Sequence, residues 1–253
     1  MVSCLLNPIR HINRNYQYTF KTTGMNTLQK RKTFSYNNSM KRRDFIGRMA
    51  VTASVAGIIT ACSKDDDNHG SNGGIDLGSG DPGILNYAYA LEQLEAAFYA
   101  QVITTQYGGI TTDEVALLTD IRDHEVAHRE FFKTALGSAA IPALEVDFSS
   151  IDFSSRDSVL GTAKAFEDLG VSAYNGAGQL ITSAEYLLVA GKIVSVEARH
   201  AAYIRDLIAY GSFGDNTTVD NNGLDMAKLP NDVLAIASSF LISKLDASHL
   251  PTN

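Results

Sequence analysis

The sequence predicts an all-α protein: a four-helix bundle with a long crossover connection and an additional C-terminal helix. Three observations carry this. Apolar residues recur at helical spacing through four long segments between residues 82 and 210. No segment of the mature domain, from Cys62 onward, shows the two-residue period of a half-buried strand. Residues 138–155, with Pro142 and a run of Ser and Asp, break any period and read as the crossover.

The first helix starts at about Pro82, a good first-turn residue with Asp81 before it as cap, and runs to Tyr107. Its stripe is Ile84, Tyr87, Leu91, Leu94, Phe98 and Val102. The second begins after Thr111-Thr112-Asp113-Glu114 and ends at Leu136, closed by Gly137. Its stripe is Leu118, Ile121, Glu125, His128, Phe132 and Ala135. The third spans about Arg156 to Ile181, with Leu160, Ala163, Glu167, Val171, Tyr174 and Gly178 on one face. Thr182-Ser183-Ala184-Glu185 reads as a capping box opening the fourth, which reaches about Tyr210. Its stripe is Ala190, Ile193, Glu197, His200, Ile204 and Leu207. Residues 211–230 are a Gly/Asn/Asp loop, after which Asn231 or Asp232 caps a shorter fifth helix to about Leu245. The bundle thus occupies 82–211 and the loop plus fifth helix 212–253.

Ahead of the bundle the composition changes. Residues 1–61 hold ten of the 21 Lys and Arg but only Asp44 among the 28 acids. Residues 62–253 therefore carry 11 basic and 27 acidic residues, a net charge of −16. Such a domain repels nucleic acid and anionic membrane and favours small cations. From Met40 the chain reads as an export signal over 40–61: Lys41-Arg42-Arg43, then the apolar stretch Met49–Ile59, then Thr60-Ala61-Cys62. Arg42-Arg43-Asp44-Phe45-Ile46 resembles the twin-arginine signal, which exports folded proteins. Ile59-Thr60-Ala61-Cys62 resembles a lipobox, making Cys62 the expected lipidation site. The alternative is a short buried helix with a chance cysteine. Residues 1–39 precede a complete signal and read as an over-extended start or an unstructured extension. Residues 62–81 are rich in Gly, Asp and Ser and read as a flexible acidic tether, whose run Asp65–Asp67 resembles the surface-export tags of some bacterial lipoproteins.

The informative feature lies inside the stripes. Glu125, His128, Glu167, Glu197 and His200 stand where Leu or Val belongs, and Glu92 lies beside the stripe of the first helix. An unpaired buried carboxylate costs several kcal/mol, so each needs a proton, an arginine or a metal. In Glu-x-x-His the two side chains are about 300° apart and share one face a turn apart. Glu125/His128 and Glu197/His200 can therefore both point into the bundle.

The pattern also repeats. Glu92 is followed seven residues later by Tyr99, and Glu167 seven residues later by Tyr174. Glu125 comes 33 residues after Glu92, and Glu197 30 residues after Glu167. Two helix pairs of this kind imply two half-sites facing each other across a pseudo-twofold axis. Four glutamates and two neutral histidines carry a formal −4, which two divalent cations cancel. Tyr99 and Tyr174 read as packing residues that reach toward the site, with redox or supporting roles open to them.

These residues resemble the ferritin-like superfamily of di-iron or di-manganese carboxylate proteins, in a branch similar to the plant desiccation-related proteins. The resemblance rests on Leu91-Glu92-Gln93-Leu94-Glu95-Ala96-Ala97-Phe98-Tyr99, His124-Glu125-Val126-Ala127-His128, Ala173-Tyr174-Asn175-Gly176-Ala177 and Val196-Glu197-Ala198-Arg199-His200. It implies a ferritin-like bundle and places metal ligands at Glu92, Glu125, His128, Glu167, Glu197 and His200. Glu95, one turn from Glu92, is an alternative first-helix ligand. The implied cofactors are two iron or manganese ions, and the implied chemistry is redox reaction with oxygen or peroxide, ferroxidase-, peroxidase- or catalase-like.

Two other readings stay open. His124-Glu125-Val126-Ala127-His128 also fits the zinc-peptidase pattern of two histidines and a glutamate base, though that leaves Glu197/His200 unexplained and Val196 stands where His124 would repeat. On the dinuclear reading His124 sits at the stripe edge and can hydrogen-bond a ligand carboxylate. The other is a non-enzymatic, stress-protective or binding bundle. Expected partners are metal ions, oxygen or peroxide, a membrane held through the lipid anchor and a second copy of the chain, with no nucleic acid. The expected location is the cell envelope.

Overall fold

The computed structural model describes residues 73–252. The readings over residues 1–61 and at Cys62 lie outside the described residues. In chain order come strand β1 (Ile75–Asp76), helices α1 (Gly80–Thr104), α2 (Thr112–Leu136), α3 (Arg156–Gly178), α4 (Ala184–Ile208) and α5 (Pro230–Ala237), then strand β2 (Leu245–Asp246). The family fold expected from the sequence is the one observed. α1 packs along α2 and α3 along α4, with α1 also touching α3 across the bundle. Among the described residues no helix is long and apolar enough to cross a membrane.

α1 is buried almost all round, from Gly83 to Ala96 without a break. A helix buried on every face needs cover outside as well as inside. The crossover supplies it, and two polar side chains of α1 hold it there. Asn86 Nδ2 donates to Ala139 O at 2.9 Å and Leu77 O at 3.1 Å, while its Oδ1 accepts from Ile141 N at 3.0 Å. One turn pair later, Gln93 Oε1 accepts from Leu144 N at 2.9 Å. Extended backbone has no partners of its own, so these buried amides satisfy it.

Helix ends follow local chemistry. Thr111 and Glu114 form a reciprocal capping box at the start of α2. Gly137, at φ 55°, ends it. The expected capping box at 182–185 does not form: Ser183 caps α4 through Tyr186 N, and Glu185 makes no cap bond. Asp81 is not the cap of α1 either. It lies inside the first turn, behind Ser79, and its carboxylate accepts from Thr182 N and Ser183 N, both at 2.8 Å. The carboxylate thereby tethers the start of α1 to the α3–α4 turn.

Several boundaries are shorter than the periodicity suggests. α1 stops at Thr104 rather than Tyr107, and α3 at Gly178 rather than Ile181. α5 ends at Ala237 rather than Leu245, because the chain beyond it is claimed by the crossover. Asp147 N donates to Phe240 O and Ile242 N to Glu145 O, both at 2.9 Å. β2 then pairs in parallel with β1, Ile75 opposite Leu245 and Asp76 opposite Asp246. These two-residue strands are too short to show a period. They also mean that residues 73–79 are not simply tether: Ile75 pairs, and Leu77 is fully buried.

Candidate metal centre

All six ligand candidates meet in the middle of the bundle. Glu92 comes from α1, Glu125 and His128 from α2, Glu167 from α3, Glu197 and His200 from α4. The four glutamates and His200 are buried, and the side chain of His128 is 14% exposed, which makes its end of the site the more open one. The helices are there because their apolar neighbours are buried; the polar residues ride inward on the same stripes.

Ligand atoms of Glu92, Glu125, His128 and Glu197 lie within 4.8 Å of one another, as do those of Glu125, Glu167, Glu197 and His200. The groups share Glu125 and Glu197. Each could hold a cation, with the shared glutamates between the two positions. Glu95 is buried but belongs to neither group. It stands across from Gly170, three residues after Glu167 as Glu95 is after Glu92; its Oε1 lies 3.0 Å from where a Cβ on Gly170 would be.

Each histidine leans on the opposite helix. His128 Nδ1 is 2.8 Å from Glu197 Oε1, 3.5 Å from Glu92 Oε2 and 3.7 Å from Glu125 Oε2. His200 Nδ1 is 2.8 Å from Glu125 Oε1, 3.3 Å from Glu197 Oε2 and 3.6 Å from Glu167 Oε2. Most of these contacts are close without being directed as hydrogen bonds. Glu92 Oε2, both oxygens of Glu125, His128 Nδ1, Glu167 Oε2 and Glu197 Oε1 are buried with no hydrogen-bond partner among the described residues. Directionality decides here: a 2.8 Å approach with the wrong angle satisfies neither atom. Atoms bound about 2.1 Å from one octahedral cation lie about 3 Å apart, so such spacings and orphaned atoms suit a shared metal.

The tyrosines complete the arrangement. Tyr99 OH donates to Glu167 Oε1 at 2.5 Å, and Tyr174 OH donates to Glu92 Oε1. Seven residues on a helix span about 10 Å, so neither phenol can reach the glutamate of its own helix. They cross instead: residue 99 meets 167 and 174 meets 92, which means α1 and α3 run antiparallel.

Without metal, protons take up the charge. Burial would lower both imidazoles, but the facing carboxylates push His128 and His200 up to about 12. Burial would raise Glu125, yet contact with both histidines holds it at about 2. Burial, with repulsion from Glu125, lifts Glu167 to about 8 and carries Glu92 well above the carboxylate range. Burial likewise raises Glu95, and repulsion from Glu125, Glu167, Glu197 and Glu92 raises it further.

His124 departs from the expectation for it. Its Nδ1 lies 2.9 Å from His200 Nε2, so its partner is the other imidazole and not a carboxylate. It joins neither ligand group, so the two histidines of His124-x-x-x-His128 do not converge on one cation position as a zinc peptidase requires. Arg205 is buried and makes a two-pronged bond to Asp168, both arms 2.8 Å. Nothing in the sequence spacing announces the His124–His200 contact, because it joins positions 76 apart on different helices.

A comparison with curated proteins finds no match. A family model for a ferritin-like domain matches residues 80–210, the span that contains α1 to α4 and every member of the cluster. With the paired helices, the crossover and the two carboxylate–histidine groups already in place, the match over half the chain is decisive: this protein belongs to the ferritin-like domain family.

Proposed function

We propose that the protein is an exported, lipid-anchored ferritin-like oxidoreductase whose buried cluster holds two iron or manganese ions and reacts with oxygen or peroxide. The observation that carries this reading is the pair of four-residue groups sharing Glu125 and Glu197. Glu92 and His128 would complete one position, Glu167 and His200 the other. When bound, such a pair of cations supplies electron transfer to an oxygen species. The chain contributes the rest. Glu125 and Glu197 tie the positions together, while Tyr99 and Tyr174 orient the outer glutamates through their hydroxyl protons. An apolar cavity of about 30 Å³, bordered by Leu91, Phe132 and Tyr174, would take a small apolar reactant such as dioxygen on the near side of the tyrosine whose hydroxyl reaches Glu92.

Carboxylate oxygens with two imidazoles suit either metal, and iron is the preferred reading. The twin-arginine resemblance supports the export claim and a reason for it, since a protein folded before export can acquire its metal in the cytoplasm. Elemental analysis with optical spectroscopy of the aerobically purified protein tests the proposal. About two iron or manganese ions per chain with carboxylate-bridged ferric absorption, or the manganese equivalent, is expected. A folded chain free of transition metal, and unable to take it up, would mean a non-enzymatic bundle.

A further inference from the structure

The twofold pattern fails at one position that touches the cluster. The residue before Glu125 is His124, and the residue before Glu197 is Val196. His124 Nδ1 lies 2.9 Å from His200 Nε2, with the two rings within 11° of parallel and their centroids 5.1 Å apart. His128 has no such neighbour: its Nδ1 faces the carboxylates as that of His200 does, but among the described residues no hydrogen bond reaches its Nε2. The helix register accounts for the difference. α2 and α4 run antiparallel, with 125 beside 200 and 128 beside 197, so residue 124 falls next to the outer edge of the 200 ring. A valine has nothing to offer at the matching place.

Accepting the dinuclear reading above, we propose that His124 is a positioning residue for His200 and that it makes the two metal positions unequal, the His200 position being the tighter. For His200 to bind a cation through Nδ1, its one ring proton must sit on Nε2. His124 Nδ1, with its own proton on Nε2, accepts that proton in a hydrogen bond. The bond fixes the tautomer and the ring angle of His200 and raises the basicity of its free nitrogen. His128 has to select its tautomer and orientation without that help. The first cation to enter therefore goes to Glu167 and His200, the second to Glu92 and His128.

A cobalt(II) titration of the metal-free full chain, followed by visible absorption, tests this. The wild type should take up two ions in two resolved steps. His124→Ala should still take up two, with the first step weakened about tenfold to a hundredfold so that the steps merge. His124→Gln, whose side-chain carbonyl can accept the same proton, should recover most of the loss. Position is read in single-site backgrounds. With His128→Ala the remaining tight step should weaken on adding His124→Ala, and with His200→Ala the same addition should change nothing. An unchanged first step in His124→Ala, or equal weakening in both backgrounds, would overturn the proposal. A wild type that binds fewer than two cobalt ions would instead overturn the dinuclear reading on which it rests.

Discussion

Tyr99 on α1 and Glu167 on α3, 68 residues apart in sequence, are joined by a buried 2.5 Å hydrogen bond. Its counterpart joins Tyr174 to Glu92. Each phenol therefore serves the glutamate of the other repeat, and the two halves of the site brace one another. Tyr99→Phe should remove the one hydrogen bond that Glu167 Oε1 accepts among the described residues and destabilise the metal-free protein by about 1–3 kcal/mol. Tyr174→Phe should cost a similar amount. Urea denaturation of both variants measures it, and a loss of only a few tenths would show that the bond is not formed in solution.

On the proposed dinuclear reading, Glu167→Ala should lose at least one of about two metal ions, because it removes a carboxylate that only one of the two groups contains. Glu92→Ala should lose more metal than Glu95→Ala, since Glu92 lies in a ligand group and Glu95 in neither. Metal content after dialysis against a fixed free concentration provides the comparison. Equal retention by all three variants would contradict the ligand assignment.

The metal-free protein should lose stability as pH rises from about 4.5 to 8. Burial holds the Glu167 carboxyl at about 8, against 4.5 when exposed, so between these values the folded state binds a proton that the unfolded state has released. A raised carboxyl pKa stabilises fully below the unfolded value and loses its contribution as pH climbs to the folded one. Glu92 and Glu95 shift in the same direction. His128 and His200, raised to about 12, add stability that is complete below about 6.5 and fades above it. The thermal midpoint should thus fall with pH without metal, and saturating metal should reverse the trend by binding the ionised groups. A midpoint rising across this range without metal would contradict the burial argument.

Gly176→Ala should pry the 211–229 loop from α3. A Cβ there would lie 1.8 Å from the carbonyl oxygen of Lys228, and Lys228 N donates to Ser172 O at 2.9 Å alongside. Backbone on both sides leaves no side-chain tip to swing away, so a cost of about 1–3 kcal/mol or more is expected. Thermal unfolding and limited proteolysis within the loop would report it together.

Native protein from cells should begin at Cys62 and carry acyl mass. Intact mass spectrometry decides this: a chain retaining residues 1–39 without acyl groups would end the lipoprotein proposal.

Much of the fold was legible because a buried helix face is written locally. The stripes through Leu118, Phe132, Leu160 and Ile204 repeat at a spacing only a helix uses, and all four residues are buried. The polar residues on those stripes were legible for the same reason, as Glu125 and Glu197 break an apolar pattern and so draw notice. Export and lipidation readings are of another kind, resting on the order of residues 40–62 alone. What one strand of text does not contain is which helix faces which. The crossed Tyr–Glu bonds, the placing of Glu92 rather than Glu95 in a ligand group, and the His124–His200 bond depend on how α1 meets α3 and α2 meets α4. Likewise β1 and β2, two residues each, exist only because distant backbone needs partners where the segment before α1 meets the C-terminal segment. Periodicity is a property of neighbours along the chain, whereas these contacts are set by packing between segments 68 to 170 residues apart, as for Tyr99–Glu167 and Ile75–Leu245.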